Sequence, residues 1–224
     1  MKPQQIENQR YQKNDHCEIN FEEKIMFQML DKHRKKIKKD RADIRLLDIG
    51  CGSGLITKKI QEMGYLTEGL DFSQEAVNKA ISNGINANVC DLDEGISKPD
   101  GEYDVVWAGD IIEHVFDPIG LIKEISRVLK DRGALILCIP SDVGLISRIK
   151  MLIGHSYQEI TYKKSGYHKH HTFFNLELIS FMLEKAGFKI QEVNKILILN
   201  KKRYLMNFLP SAFYNELVIM TQKR

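Results

Sequence analysis

Arg45-Leu46-Leu47-Asp48-Ile49-Gly50-Cys51-Gly52-Ser53-Gly54 is the stretch on which the fold turns. Aliphatic residues run into an acid and then into three glycines at alternate positions, and a helical pattern follows from Leu55 to Met63. The pattern predicts a short buried strand, a sharp loop and a helix. Glycine lets the main chain turn tightly and approach a ligand where a Cβ would hold it off. The helix that starts there offers unpaired N–H groups and a partial positive charge. Such a junction suits a nucleotide-like ligand. Its G-x-G-x-G spacing differs from the G-x-G-x-x-G dinucleotide fingerprint, which speaks against a nicotinamide cofactor. No Lys-Ser or Lys-Thr follows the glycines, so a phosphate-cradling P-loop is ruled out.

Around this core lies an ordinary soluble composition. The 224 residues are 43% hydrophobic and 28% charged, and a net charge of +3 by itself points to no partner. No apolar run is long enough to predict a transmembrane helix. The opening Met1-Lys2-Pro3-Gln4-Gln5 is polar and lacks a signal-peptide core, so a cytoplasmic location is expected. Cysteines at 17, 51, 90 and 138 stand far apart with no C-x-x-C pairing. They read as small thiols of a reducing compartment and not as zinc ligands.

Residues 1–20 are polar, and from Phe21 an apolar face recurs at Ile25, Met26, Met29 and Leu30. The basic run from Lys32 to Lys39 that follows has no interleaved aromatics for base stacking. It reads as a solvated helix end whose cations suit the negative pole of the dipole, and nucleic acid is disfavoured as a partner. Strands are expected at 45–49, 66–70, 86–90, 103–108 and 134–139, and helices at 54–63, 73–82, 117–130 and 175–186. Gly64, Gly84, Gly133 and Gly187 are expected as helix C-caps, and Ser73 as an N-cap. Alternating strands and helices with continuous apolar strands imply right-handed βαβ units on a parallel sheet. Between Pro140 and Asn175 the rhythm breaks. Leu145, Ile146, Ile149, Leu152 and Ile153 make one helical stripe, followed by a loop rich in Tyr, Lys and His. Two β-like runs, Lys189–Leu199 and Phe213–Thr221, read as an antiparallel closing pair.

Four expected strands end in, or run straight into, an acid: Asp48, Asp71, Asp91 and Asp110. In an open α/β sheet those ends border the ligand crevice. A carboxylate at Asp71 can accept from both hydroxyls of a ribose, a bidentate and charge-assisted geometry. Asp91 is placed to accept from an exocyclic amine of adenine. One such acid is a common turn residue, but four in succession after a glycine loop carry more weight.

These residues resemble the class I S-adenosylmethionine-dependent methyltransferases, whose first motif matches Leu47-Asp48-Ile49-Gly50-Cys51-Gly52-Ser53-Gly54. The resemblance extends from about Arg45 to Gly187. It takes in Tyr103-Asp104-Val105-Val106, Glu113-His114-Val115 and the run Ile125 to Leu135, with Asp131-Arg132 where the family usually has Pro-Gly. It implies a Rossmann-like, doubly wound, seven-stranded α/β sheet, mostly parallel with a C-terminal antiparallel strand. A single domain is expected, with an N-terminal helical extension at 1–44, a cofactor-binding core at 45–140, an acceptor-side insert or lid at 141–174 and a closing helix and strand pair at 175–224. It also implies S-adenosyl-L-methionine as cofactor, leaving as S-adenosyl-L-homocysteine. Asp48, Gly50, Cys51, Gly52 and Gly54 would face its methionine part, Asp71 and Phe72 the ribose, and Asp91 and Leu92 the adenine. Ala108 and Asp110 at the fourth strand's end complete the expected cofactor set.

Methyl transfer needs a base only when the acceptor atom carries a tightly held proton. The candidates are Glu113, His114, His171 and the neighbouring His168 and His170. Asp110, Glu113 and His114 fall at i, i+3, i+4, which would put them on one side of a helical turn. That spacing also resembles the ubiquinone-biosynthesis O-methyltransferases and small-RNA 2′-O-methyltransferases, where the set holds a divalent cation. Here Asp replaces their first Glu and shortens the reach, so the sequence assigns no metal site. His171-Thr172-Phe173-Phe174 resembles the entry to the late helix of methyltransferases acting on small molecules or on glycan and lipid precursors. His171 could face the acceptor or cap that helix. Arg148, Lys150, Lys163, Lys164 and Lys169 hint at an anionic or lipid-borne acceptor and leave peripheral membrane contact open. The expected activity is methyl transfer to a small or carrier-linked acceptor at oxygen. A small-amine N-methyltransferase and a catalytically silent cofactor-binding module stand as alternatives.

Overall fold

Alternation of apolar side chains along each strand gives the sheet two buried faces. Leu47, Val106, Ala108, Leu135 and Leu137 point into one core, and Leu46, Val105, Trp107, Ile136 and Cys138 into the other. The computed structural model describes residues 19–141, 145–156, 159, 170–199, 202–208, 210 and 213–224. Cys17, Lys163, Lys164, His168 and Lys169, named above, lie outside the described residues.

In chain order the elements are α1 (Phe21–Ile37), β1 (Arg45–Ile49), α2 (Leu55–Glu62), β2 (Leu66–Asp71), α3 (Gln74–Ser82), β3 (Asn86–Val89) and β4 (Tyr103–Gly109). Then come α4 (Pro118–Val128), β5 (Leu129–Pro140), α5 (Leu145–Leu152), α6 (Leu176–Lys185), β6 (Phe188–Leu199), β7 (Lys202–Leu205) and β8 (Glu216–Lys223). Among the described residues the strands form one eight-stranded sheet in the order β3-β2-β1-β4-β5-β8-β6-β7. The first five are parallel, while β8 is antiparallel to both β5 and β6, and β7 to β6. The chain winds outward from β1 to β3 and then restarts on the other side with β4. The switch point therefore falls between β1 and β4, at the glycine loop.

Local chemistry accounts for the ends of the elements. Asn20 caps α1 in a reciprocal capping box with Glu23, and Ser73, Asp117 and Asn175 accept from the first turns of α3, α4 and α6. Gly64, Gly84 and Gly187 take positive φ just past helices, as expected. Gly133 does not. Helix α4 stops at Val128, two residues short of the expected end, and the chain enters β5 at Leu129 without a loop. The register against β4 jumps from Tyr103–Leu129 to Val105–Ala134, so residues 130–133 bulge out of the ladder. Arg132, not Gly133, takes the left-handed conformation there, at φ 62°.

The expected closing pair is present as β6 and β8, but the basic, aromatic segment between them adds the edge strand β7, giving eight strands where seven were expected. All four β7 residues are exposed, so no buried face announces them in the sequence. Helix α1 lays Ile25, Met26, Met29 and Leu30 on the sheet, with Phe27 against Trp107 at a ring separation of 5.3 Å. Its basic end is partly neutralised locally, Arg34 and Lys35 on Asp31 and Lys32 on Glu192. On the opposite face α4 and α6 cover the other core through Leu121, Ile122, Ile125, Ile179 and Leu183. No described helix is long and apolar enough to cross a membrane.

Candidate functional site

The rim at the C-terminal ends of β1 to β4 gathers the glycine loop and the acids. Gly50 and Gly54 stand at φ 75° and 76°. A Cβ on Gly50 would come within 2.9 Å of Ile111, and one on Gly54 within 3.0 Å of Ala80 and Ile85. Glycine is therefore required here by conformation and by close packing of the loop against its neighbours. The loop is pinned from β2. Gly50 and Cys51 donate their N–H groups to Leu70 O at 2.8 and 2.9 Å, and Gly52 N–H donates to Asp71 Oδ2 at 2.8 Å. The first helical bond of α2 runs from Lys58 N to Gly54 O, so the N–H groups of residues 55–57 have no carbonyl within the helix to bond.

Asp48 is buried beneath the loop and accepts from Thr57 Oγ1 on α2. Burial pushes its carboxyl up to about 7, Thr57 opposes this, and the nearby Asp71 charge adds to it. Thr57 is a site residue the sequence reading missed; its position one turn into the helix, facing back to the acid, is the signal that could have found it. Asp71 is also almost fully buried and divides its oxygens between Gly52 N and Ser73 N, the latter at 2.9 Å. Asp91 accepts from Asp93 N at 3.0 Å in a tight turn, and Phe72 next to Asp71 is exposed at the rim.

Two of the expected cofactor residues present only backbone. Cys51 turns its sulfur toward Gly69, where an added Cβ would lie 2.7 Å away, and packs with Val77, Ala80, Ile85 and Ala87. Burial raises its thiol far above the ordinary range. Ala108 is buried in the core beside Ile49 and Leu137. Leu92 is also buried, in the same core. The donor set still fits an S-adenosylmethionine: a tight glycine loop, open N–H groups at a helix start, and carboxylates at the ends of neighbouring strands.

After β4 the expected helical turn is not formed as predicted. Asp110 takes φ 50°, a left-handed conformation that short polar residues tolerate best, and its N–H donates to Cys138 O at 3.0 Å. Only Ile112–His114 makes a helical turn. Asp110 therefore falls outside the cluster that Glu113 and His114 make with His170, whose candidate ligand atoms all lie within 4.8 Å of one another. Glu113 is buried, its carboxylate 3.8 Å from His114 Nε2, and its carbonyl accepts from His171 N at 2.8 Å. That main-chain bond draws the late segment onto the turn and sets His170 edge-on to His114 at 5.1 Å between rings. His171 stacks on the exposed Phe116 at 4.1 Å, and Asn175 rather than His171 caps α6. Phe174 is core, as its neighbourhood predicts. In the insert, the described part of the apolar stripe is exposed: Ile149, Leu152 and Ile153 all face solvent.

Comparison with known proteins bears on the family and the fold. A family described as a methyltransferase domain matches residues 21–193. Among curated relatives, the human mitochondrial ubiquinone biosynthesis O-methyltransferase is 26% identical over 159 residues, covering 67% of this chain and 42% of its own length. The Xanthomonas oryzae pv. oryzae ubiquinone biosynthesis O-methyltransferase is 31% identical over 104 residues, 44% of each chain. The chain thus spans less than half the length of these relatives. Among solved structures, an S-adenosylmethionine-dependent methyltransferase from Mesorhizobium loti superposes with a TM-score of 0.68 at 18% identity, over 90% of this chain and 97% of its own. One from Archaeoglobus fulgidus superposes at 0.61 with 20% identity, over 88% and 94%.

Proposed function

We propose that this chain, which belongs to the methyltransferase domain family and uses S-adenosylmethionine, transfers a methyl group in line to an oxygen of a small or carrier-linked acceptor. The observation that carries the reading is the glycine loop at the sheet's switch point, with Asp48, Asp71 and Asp91 on the same rim. The bound cofactor supplies both the electrophilic methyl group and its leaving group, so the protein's task is alignment, worth about 7–11 kcal/mol when reactants are well oriented. In this reading Asp71 holds the ribose, Asp91 and Leu92 face the adenine, and the backbone of the loop and of Ala108 flanks the methionine part. His114 takes the acceptor proton, Glu113 orients His114, and His171 with Phe116 flanks the acceptor. Residues 141–174 form the acceptor side, where the exposed Ile149, Leu152 and Ile153 beside Arg148 and Lys150 suit a lipid-borne substrate.

The names of the curated relatives support an oxygen acceptor, and so does a protonatable pair beside the crevice. A second reading is favoured by the Glu113, His114 and His170 grouping. One carboxylate and two imidazoles fit a divalent cation of intermediate hardness, which would polarise the acceptor oxygen. Titration with S-adenosylhomocysteine, followed by turnover on a panel of phenols, alcohols and amines with and without EDTA, tests these readings together. Binding with methylation of hydroxyl acceptors is the expected result. Transfer to amines alone moves the acceptor to nitrogen, and binding without turnover on any acceptor makes the chain a silent cofactor-binding module. Metal content by mass spectrometry, compared between the parent and His170→Ala, separates the cation reading from simple proton transfer.

A further inference from the structure

The rim opposite the glycine loop, where parallel strands begin, holds a groove of about 640 Å³ bordered by α1, the β5 bulge, and the adjoining ends of β6 and β8. That volume lies within the range of small-ligand clefts, roughly 300–1,000 Å³. Among the described residues seven lysine and arginine side chains, Lys36 and Lys189 among them, line it against two carboxylates, Asp104 and Asp131. The groove's excess of five positive charges exceeds the net +3 of the whole chain. Asp104 is already committed, accepting from Lys39 at 2.7 Å, Lys130 at 2.8 Å and Arg45 N at 3.0 Å.

Other cations are positioned without being neutralised. Lys36 donates to the amide oxygens of Gln191 and Gln222 at 2.9 and 3.1 Å, and Lys223 donates to Leu129 O at 2.8 Å. Neutral acceptors fix an ammonium group while leaving its charge to act on a ligand. Arg132 occupies a left-handed position that glycine takes at far lower cost, so a cation is retained on this rim against backbone strain. His33 lies buried under the same rim, with no hydrogen-bond partner for Nε2 among the described residues. Its desolvation, reinforced by Lys36, keeps it neutral.

We propose that this groove is a second binding site, separate from the cofactor crevice, for a small anion bearing several phosphate-type charges. Among the described residues the only aliphatic side chain in the lining is Ile37, and the only ring is the imidazole of His33. Neither base stacking nor acyl-chain burial is therefore provided, and the recognition is of charge. A free polyphosphate group and an anionic lipid headgroup share this chemistry.

Calorimetry on the full chain with inorganic tripolyphosphate at fixed ionic strength tests the site. One ion per chain is expected, with about tenfold or greater weakening in the Lys36→Gln/Lys189→Gln double variant, as for lost charge-assisted bonds. Affinity for S-adenosylhomocysteine should be the same in parent and variant, so failure here leaves the methyltransferase reading standing. Arg132→Gly should bind the anion more weakly while unfolding at higher temperature. Co-sedimentation with phosphatidylcholine vesicles, with and without phosphatidylglycerol, distinguishes the sources. Sedimentation that needs the anionic lipid and is displaced by tripolyphosphate assigns the groove to headgroups; tripolyphosphate binding without sedimentation assigns it to a free anion. Absence of binding to either, or binding that the double variant leaves intact, overturns the proposal.

Discussion

Asp71 serves the fold before it serves any ligand. Its carboxylate bonds two backbone N–H groups, one in the glycine loop and one at the start of α3. Leaving a buried donor unsatisfied costs about 1–3 kcal/mol, and a hydrogen bond to a charged group is worth about 1.5–3 kcal/mol. Asp71→Ala should therefore lower ligand-free stability and also weaken S-adenosylhomocysteine binding, each by roughly those amounts. Asp71→Asn keeps one acceptor oxygen, so it should recover part of the stability and little of the affinity. Thermal unfolding without ligand and titration calorimetry read the two effects separately. Full stability in the alanine variant would mean that the loop does not depend on this carboxylate. At His114 the split is different. His114→Ala should lower kcat by about 10²–10⁴-fold, the range for a positioned acid or base, and leave cofactor affinity unchanged; unaltered turnover on every hydroxyl acceptor would remove it from the chemistry.

At the scale of elements, α1 is held to the C-terminal strands by a buried acid pair. Arg203 Nε on β7 donates to Glu22 Oε1 at 2.6 Å, and the Glu22 carboxyl meets that of Glu216 at the start of β8. Burial, followed by the bond and charge of Glu22, pushes Glu216 up to about 9. Its folded pKa is raised above the unfolded carboxylate value of about 4.3. The folded state thus binds the proton more tightly, and stability falls as pH rises from there through about 9. Glu216→Gln stays neutral throughout, so its gain in melting temperature over the parent should be small at pH 5 and grow towards pH 9. A gain independent of pH would mean that the two carboxyls do not share a proton.

This pairing joins residues nearly two hundred positions apart, and no local pattern announces it. What the sequence does announce are elements bounded by local chemistry. The apolar runs of β1, β2 and β4 and the glycines after α2, α3 and α6 place those elements within a residue or two. The α4–β5 junction escapes because the chain passes from helix to strand without a loop and puts its left-handed residue at Arg132, leaving Gly133 inside the strand. β7 escapes because a short, fully exposed edge strand has no buried face. At the site, the glycine loop and its acids were legible because their spacing is local. The meeting of His170 with Glu113 and His114 depends on a main-chain bond to a distant segment, and Asp110 left the expected turn because its backbone is left-handed.

Over the whole molecule, the two rims of the sheet differ in what they can bind and in how they are held. The upper rim carries the switch point, loops under left-handed strain and helix starts with open N–H groups. The lower rim is tied by side-chain networks, such as Arg45 and Lys98 on Glu68 at 2.8 and 2.7 Å and the cations on Asp104. Local opening follows the number of buried contacts that resist it. In amide hydrogen exchange, the central strands β1, β4 and β5, buried on both faces, should exchange slowest, and the edge strands β3 and β7 fastest. Saturation with S-adenosylhomocysteine at a hundredfold excess over its Kd stabilises a folded chain by about 2.7 kcal/mol. That protection should fall on residues 50–57, on the Asp71–Ser73 turn and on residues 91–93, all on the upper rim. Slowed exchange confined to the β5 bulge and the ends of β6 and β8, with the glycine loop unchanged, would place the nucleoside on the wrong side of the sheet and overturn the site described here.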